Sequence, residues 1–272
     1  MRFRPAALAA ALFVAGTGLI PVPAASAAPV VNWAPIDTAT IHPGMATSSD
    51  GAGCTANFVF TDKSGAVYVG QASHCTSTSG DPLSGSGCVT ESTPLGTPVT
   101  LGQSGITGTL AYSSWLAMQK AGETDEVTCR SNDFALIKVP QTGIAMVNPS
   151  VPVFGGPTGI RNSGLTAGEP AYGYGSSDLR GGVETPQQGL ALATEPPGWY
   201  HVVYLLPPGV PGDSGGGLVD GQGRAFGVLI SLNTIPPGAN GVTDLAKAFA
   251  YAQKHSGFKG LTLVPGTEAF SG

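Results

Sequence analysis

Residues 209–220 read GVPGDSGGGLVD and place Asp213 and Ser214 among glycines, directly before an apolar run. The chain has 41 glycines in 272 residues, so the glycines alone indicate little. A serine hydroxyl is a strong nucleophile only where a neighbouring base takes its proton and backbone N–H groups receive the developing oxyanion. Glycines beside Ser214 let backbone N–H groups turn toward one point. A glycine-rich turn between strands explains the spacing equally well, so the interpretation depends on partners elsewhere in the chain.

The chain has four histidines that could serve as the base for such a serine: His42, His74, His201 and His255. His74 follows a β-type run in GAVYVGQASHCTS and directly precedes Cys75. A strand end tied by a disulfide would hold a base rigidly. His42 lies in an irregular segment, His201 lies within a β-type run, and His255 suits the last turn of a helix. Each of these three therefore has a structural interpretation, and His74 is the candidate base.

A carboxylate is needed to fix the tautomer of the base and to offset its positive charge. Asp133, in RSNDFALIKV, lies immediately before a strongly apolar run that is typical of a buried strand. The alternative is a turn aspartate that bonds to its own backbone. Without His74 and Ser214, that alternative would be the preferred interpretation.

The pentapeptide GDSGG also fits the G-x-S-x-G nucleophile elbow of α/β-hydrolases, and Asp244 and His255 supply the acid and histidine in the order that fold requires. An elbow leads into a helix, but Ser214 is followed by GGGLVDGQGRAFGV, which indicates strand, turn and strand. The chain also lacks alternating strand and helix units. An esterase on that fold is therefore the less favoured alternative.

The first 27 residues predict a secretory signal peptide, with a basic start, a short apolar run and the small residues Ala25-Ser26-Ala27 at the cleavage site. Their removal takes away two of 12 basic residues and none of the 17 acidic ones, which leaves a formal charge of −7. Such a chain has no electrostatic reason to bind nucleic acid or anionic lipid. We expect a soluble, secreted protein with no membrane contact in its mature form.

The remaining residues indicate an all-β protein, because short β-type runs alternate with turn residues from Cys54 onward. Residues 28–45 read as a leader or irregular arm, 46–148 as a first half and 149–272 as a second half. One helix is predicted, over 242–257, and helical signal is nearly absent before it. Four cysteines in an exported chain predict two disulfides, for which sequence alone allows three pairings.

Three blocks, YVGQASHC, NDFALIKV and PGDSGGGLV, resemble in this order the catalytic blocks of the chymotrypsin/trypsin-like serine protease family, with the secreted bacterial branch most similar. The resemblance runs from about Cys54 to His255. It implies two antiparallel six-stranded β-barrels with a C-terminal helix, His74 and Asp133 belonging to the first barrel and Ser214 to the second. Ser214 would be the nucleophile, His74 the general base and acid, and Asp133 the orienting carboxylate.

The resemblance also implies an oxyanion hole made by the backbone N–H groups of Gly212 and Ser214. It pairs Cys54 with Cys75, which leaves Cys88 with Cys129. Pro208, six residues before Ser214, would lie at the base of the specificity pocket, and Ser231 would line it. A proline there argues against preference for arginine or lysine, and we expect small or hydrophobic side chains before the cleaved bond.

The sequence departs from the family at activation, because no lysine or arginine occurs between Arg4 and Lys63. A cut that frees an amine to pair with Asp213 is therefore not expected, and Arg161 or Arg180 is the internal partner that we predict. Together these features predict a monomeric, secreted serine endopeptidase that acts on polypeptides. No cofactor is expected, and no metal-ligand spacing occurs, although a structural calcium is left open. An inactive binding protein of the same fold is the main alternative.

Overall fold

Two β-sheets, packed against each other, form the body of the protein. The computed structural model describes residues 31–49, 52–79 and 86–272. The predicted signal peptide, residues 1–27, lies outside the described residues. In chain order the strands are β1 (Ala46–Ser49), β2 (Ala52–Thr55), β3 (Val59–Thr61), β4 (Val67–Gln71), β5 (Pro98–Leu101), β6 (Ile106–Ser113), β7 (Ala135–Lys138), β8 (Gly159–Ile160), β9 (Pro170–Gly175), β10 (Thr185–Glu195), β11 (Tyr200–Leu206), β12 (Gly217–Asp220), β13 (Arg224–Thr234), β14 (Pro237–Asp244) and β15 (Thr262–Leu263).

The first sheet is antiparallel throughout, with the order β15-β3-β4-β7-β6-β5-β1-β2. Side chains alternate across its strands, as in β5, where Val99 and Leu101 are buried and Pro98 and Thr100 are exposed. The buried face forms an apolar core beneath the sheet. The last strand of the chain, β15, pairs with β3 and thus crosses the boundary that the sequence analysis places between 148 and 149.

The second sheet is a closed barrel. Its order is β12-β9-β10-β11-β14-β13-β8, and an additional β12–β13 pairing joins the two ends of the six longer strands. β8 pairs with β13 in parallel, and this is the one parallel pairing among the strands that the structure describes. The alternation of parallel strands and helices that an α/β-hydrolase requires is therefore absent from the described residues, and that alternative is wrong.

The strand numbers differ from the six per barrel that the resemblance implies. The second sheet has six strands once the two-residue β8 is set aside. The first has eight, of which β15 is a two-residue addition from the C-terminal segment. β2 and β3 lie on one run of chain, separated only by residues 56–58. With β15 set aside and with β2 and β3 taken as one bent strand, the first sheet also has six strands. The all-β, two-barrel fold class is confirmed.

Three α-helices are present among the described residues: α1 (Ser114–Ala121), α2 (Glu126–Ser131) and α3 (Leu245–His255). The predicted C-terminal helix is confirmed as α3. The Asp244 carboxylate caps its N-terminus and accepts the backbone N–H of Lys247 at 2.8 Å. The sequence analysis missed α1 and α2. Their signals are present, because Ser113 and Asp125 accept N-cap hydrogen bonds and Gly122 ends α1 at φ 65°.

The two barrels share a hydrophobic core. Aromatic rings from different elements pack together in this core. The centroid of the Phe60 ring lies 5.5 Å from that of Phe134 and 5.4 Å from that of Phe249 on α3. Residues 31–45 form no regular strand or helix, but Ile41 and Met45 are fully buried and Ile41 bridges Val147. None of the helices in the described part of the chain is long and apolar enough to cross a lipid bilayer.

Both disulfides that the resemblance implies are present, Cys54–Cys75 and Cys88–Cys129. They close loops with sequence separations of 21 and 41 residues. The Cys54–Cys75 bond lies next to the Ser214 loop of the second barrel. The Cys88–Cys129 bond instead fastens α2 to a neighbouring segment of the first barrel. The described residues contain no free cysteine.

We expect replacement of the Cys88–Cys129 pair by alanines to lower the free energy of unfolding by about 4 kcal/mol, since the cross-link restricts the unfolded chain. The shorter Cys54–Cys75 loop gives about 3 kcal/mol on the same grounds. Urea unfolding followed by circular dichroism measures both. Equal stability of the parent and either double variant would contradict a stabilising role for that bond.

Candidate active site

Strand pairing brings His74 and Asp133 together. β4 and β7 are antiparallel neighbours in which Gln71 pairs with Ala135. The chain leaves β4 through a short 3-10 helix, Ser73–Thr76, that carries His74, and it enters β7 just after Asp133. Residues following the end of one strand therefore meet residues preceding the start of the other.

The His74–Asp133 pair is buried and doubly hydrogen-bonded. Nδ1 of His74 lies 2.7 Å from Oδ2 of Asp133, and the backbone N–H of His74 donates to Oδ1 at 2.9 Å. The residues are 6% and 4% exposed. Because the carboxylate can only accept, Nδ1 carries a proton and Nε2 is left as the basic nitrogen of the neutral ring. Asp133 thus bonds to a residue 59 positions away and not to its own turn.

Ser214 lies near Cys75, the residue that follows His74 in the chain. Its carbonyl oxygen accepts the Thr55 N–H at 2.8 Å and lies 3.9 Å from Sγ of Cys75. Both sulfurs of the Cys54–Cys75 bond and a ring nitrogen of His74 lie within 4.8 Å of one another. The sulfurs are joined in a disulfide and offer no thiolate, so this cluster is not a metal site. Ser214 is partly exposed, and within the described residues its hydroxyl makes no hydrogen bond to His74.

Two backbone N–H groups around Ser214 have no acceptor among the described residues. Neither Gly212 N nor Ser214 N donates to any residue that the structure describes. The backbone at Gly212 has a φ of 98°, a value that favours glycine. Two unpaired donors beside a partly exposed hydroxyl can receive one oxygen atom of a ligand. The arrangement is therefore suited to binding a carbonyl oxygen next to Ser214.

Asp213 is 1% exposed and is surrounded by four donors. Arg180 donates to Oδ1, as does the Ser177 N–H at 3.1 Å. The Gln187 amide and the Val210 N–H donate to Oδ2 at 3.1 and 3.0 Å. The charge is thus compensated by a cation and every oxygen has donors, which a buried carboxylate requires.

The other predicted partner, Arg161, is engaged elsewhere. Its Nη1 lies 2.7 Å from Glu169 and 3.1 Å from Asp220. Burial alone lowers the pKa of Arg161, but the bonds to both carboxylates outweigh this and raise it. Of the two arginines that the sequence left open, Arg180 is the partner of Asp213.

Pro208 and Ser231, which the resemblance predicts in a specificity pocket, lie on a loop and on β13, and the side chain of Asn240 connects the two. The Asn240 side chain accepts the Gly209 N–H at 2.9 Å and donates to the Gly209 carbonyl at 2.8 Å and the Ser231 carbonyl at 3.1 Å. Pro208 precedes Gly209, and Ser231 lies on β13. Asn240 is fully buried, and the sequence analysis missed it because Asn-Gly is typical of an exposed turn.

Gly212 also lines a cavity of about 410 Å³. Thr47 and Cys54 line it from the first barrel, and Leu179 and Pro211 from the second. Its only charged lining residue among those described is Asp178. This cavity could not be predicted from the sequence, because its walls come from segments that are remote from one another in the chain.

The three remaining histidines have partners of their own. Nδ1 of His42 donates to the Pro43 carbonyl at 3.0 Å. His201 lies between Asp244 and Thr194, at 2.9 Å from each. The His255 ring stacks on that of Tyr251 at 4.2 Å. The structural interpretation of these histidines is therefore confirmed.

No family model matches this sequence, and no protein of curated function matches it. Among solved structures, a Glu endopeptidase in complex with MPD is 16% identical, with 80% of this chain and 92% of that chain covered and a TM-score of 0.50. The Nocardiopsis protease NAPase is 18% identical, with 82% and 98% covered and a TM-score of 0.48. The Cellulomonas bogoriensis chymotrypsin is 20% identical, with the same coverage and a TM-score of 0.48. The chain has the chymotrypsin-like fold of bacterial serine proteases, so the predicted resemblance is confirmed at the level of the fold.

The Arg180–Asp213 pair yields a prediction on stability. Arg180→Met leaves a buried carboxylate without its cation, and we expect a loss of about 3 kcal/mol in the free energy of unfolding. Asp213→Asn in the same chain removes the charge and keeps an acceptor, so the double variant should be more stable than Arg180→Met alone. Urea unfolding of both variants tests this order, and the opposite order would contradict the role assigned to Arg180.

Asp220 yields a prediction on acid stability. Burial raises its pKa, but hydrogen bonds from Arg224, Gln222 and Arg161 outweigh burial and hold the pKa below its ordinary value. A depressed carboxyl pKa contributes stability above the unfolded-state value of about 3.9, and this contribution is lost as the pH falls through the folded-state pKa. Asp220→Asn should therefore lower stability at pH 7 and flatten its decline in acid.

Thermal melts between pH 7 and pH 2 measure this effect. Asp37→Asn, at an exposed carboxylate, is the control and should keep the parent profile. An unchanged pH profile in Asp220→Asn would show that the network around this residue contributes nothing to acid stability.

Proposed function

We propose that this protein is a secreted serine endopeptidase that cleaves polypeptides through an acyl-enzyme on Ser214. The observation that carries the proposal is the buried, doubly bonded His74–Asp133 pair, with the partly exposed Ser214 in contact with Cys75, the residue after His74. The unpaired N–H groups of Gly212 and Ser214 support it, because acyl transfer needs donors for an oxyanion. The two disulfides and the predicted signal peptide support secretion.

In the first step, Ser214 Oγ attacks the peptide carbonyl carbon while Nε2 of His74 takes the hydroxyl proton. In this mechanism the two groups form a hydrogen bond in the substrate complex, where catalytic hydrogen bonds are tighter than in the free protein. The carbonyl oxygen gains negative charge and accepts from Gly212 N–H and Ser214 N–H. Asp133 stabilises the imidazolium that forms.

In the second step, His74 gives its proton to the leaving amine and the C–N bond breaks. A water molecule then attacks the acyl carbon while His74 takes its proton. The bond from the acyl carbon to Ser214 Oγ breaks as His74 returns the proton to Oγ, and the carboxylic acid product leaves. No group beyond this chain and water is required by the reaction. Asp133 holds His74 in the same tautomer and ring orientation through both acylation and deacylation.

The residues around Ser214 support a preference in the substrate. Pro208 offers no negative charge for an arginine or lysine side chain, so cleavage after small or hydrophobic residues is expected, with Ser231 lining that pocket. The cavity that Gly212 lines accommodates residues that follow the cleaved bond. Because Arg180 is an internal partner for Asp213, the mature chain needs no activating cut beyond removal of its N-terminal segment.

The test is cleavage of a complex peptide mixture by residues 28–272, with new termini identified by mass spectrometry. Ser214→Ala and His74→Ala should each lose about 10⁴-fold or more of the activity, and the double variant should lose little more, because the residues act as a unit. Ser150→Ala and His255→Ala are matched controls away from the site and should cleave normally.

A fluorophosphonate reagent gives a second readout, because it should label the parent at Ser214 and leave Ser214→Ala unlabelled. Cleavage by Ser214→Ala at the parent rate would refute the assignment. A parent chain that neither cleaves peptides nor reacts with the reagent would instead be a binding protein of the same fold.

A further inference from the structure

Ser177 is a fully buried residue that contacts three parts of the site at once. Its hydroxyl donates to the Pro211 carbonyl at 2.5 Å and accepts the Leu179 N–H at 3.1 Å. Its own N–H donates to Asp213. It precedes the 3-10 helix Asp178–Arg180, so it joins the turn that carries Arg180 to the loop before Ser214.

The bond to Pro211 fixes the direction of a neighbouring donor. The Pro211 carbonyl and the Gly212 N–H belong to one peptide group, which is trans, since it is not among the cis bonds of the described residues. In a trans peptide the C=O and N–H point in opposite directions. A carbonyl held on Ser177 therefore directs the Gly212 N–H to the opposite side, where it has no acceptor among the described residues.

The backbone at this point needs such a restraint. Glycine occupies positive and negative φ values with similar ease, so the peptide before Gly212 could rotate at little cost. The other peptide groups here have separate restraints: Thr55 Oγ1 donates to the Gly212 carbonyl at 2.8 Å, and Gly216 N donates to the Asp213 carbonyl at 3.0 Å. Ser177 alone, of the described side chains, holds the Pro211 carbonyl.

We propose that Ser177 is a positioning residue that sets the oxyanion hole, by holding the Pro211 carbonyl so that the Gly212 N–H faces the substrate carbonyl oxygen. This inference rests on the proposed function and deepens it. In Ser177→Ala the peptide loses its restraint while the Asp213 bonds from Arg180, Gln187 and backbone N–H groups are kept. The substrate still binds, but the developing oxyanion has one correctly directed donor fewer.

The expected result is therefore a separation of kinetic parameters. Ser177→Ala should lower kcat by about 10²-fold, the effect of removing one oxyanion donor, while KM changes by less than about twofold. The inhibition constant of a peptide aldehyde, whose adduct with Ser214 places an oxygen in the same hole, should rise in parallel with the loss of kcat/KM. Ser177→Thr keeps the hydroxyl and should recover most of kcat.

Ser150→Ala is the matched control, because it also removes a fully buried hydroxyl that receives a backbone N–H bond, that of Glu268 at 2.9 Å, but far along the chain from this loop. It should keep the parent kcat. A fall in stability alone would be shared by both variants, whereas the fall in kcat at constant KM should appear only in Ser177→Ala. Equal kcat in the parent and Ser177→Ala would overturn the inference.

A crystal structure of Ser177→Ala separates the failure of this inference from that of the proposed function. If the parent has no peptidase activity, the proposed function fails, yet the variant should still have a reversed or mixed Pro211–Gly212 peptide orientation. If the parent cleaves peptides and the variant retains both the parent orientation and kcat, the role of Ser177 is refuted and the peptidase remains.

Discussion

The Asp213 carboxylate, 1% exposed, lies between the loop that ends in Ser214 and the neighbouring strands of the second barrel. A buried charge is costly unless a counter-charge and hydrogen bonds compensate it. Arg180, Gln187 on β10 and two backbone N–H groups meet this demand from separate segments. The loop can therefore leave its conformation only by exposing or unpairing a carboxylate. Because Ser214 is the next residue, its position depends on this electrostatic constraint.

The two barrels are held in register at the same place. Thr55 donates its N–H to the Ser214 carbonyl at 2.8 Å, and the Asn57 side chain donates to the Gly215 carbonyl at 3.0 Å. A side chain at Gly215 would lie 2.4 Å from the Thr55 carbonyl oxygen, so this approach requires glycine. The glycine after the serine thus serves the contact between barrels. The Cys54–Cys75 bond reinforces this contact, because it links the residue before Thr55 to the residue after His74.

The sequence predicted the parts of this protein that depend on local pattern. His74 and Asp133 could be placed because each adjoins a strongly apolar strand, and α3 because its caps and apolar face are regular. The first two helices were missed because their short segments carry caps but little apolar periodicity. The choice between Arg161 and Arg180 could not be made, since it depends on which carboxylate each meets after folding. Ser177 lies in YGYGSSDLRGG, a composition typical of turns, and nothing local distinguishes its hydroxyl.

Two buried aspartates flank the same cleft with different surroundings. Asp213 has a guanidinium and three further donors, so its charge is already compensated before any substrate arrives. Asp133, within the described residues, accepts only from His74, through the ring and the backbone N–H. Its charge is therefore left to face the imidazole, which in the proposed reaction becomes positively charged when His74 takes the serine proton. One carboxylate fixes the shape of the site, and the other supplies the field that the proposed proton transfer needs.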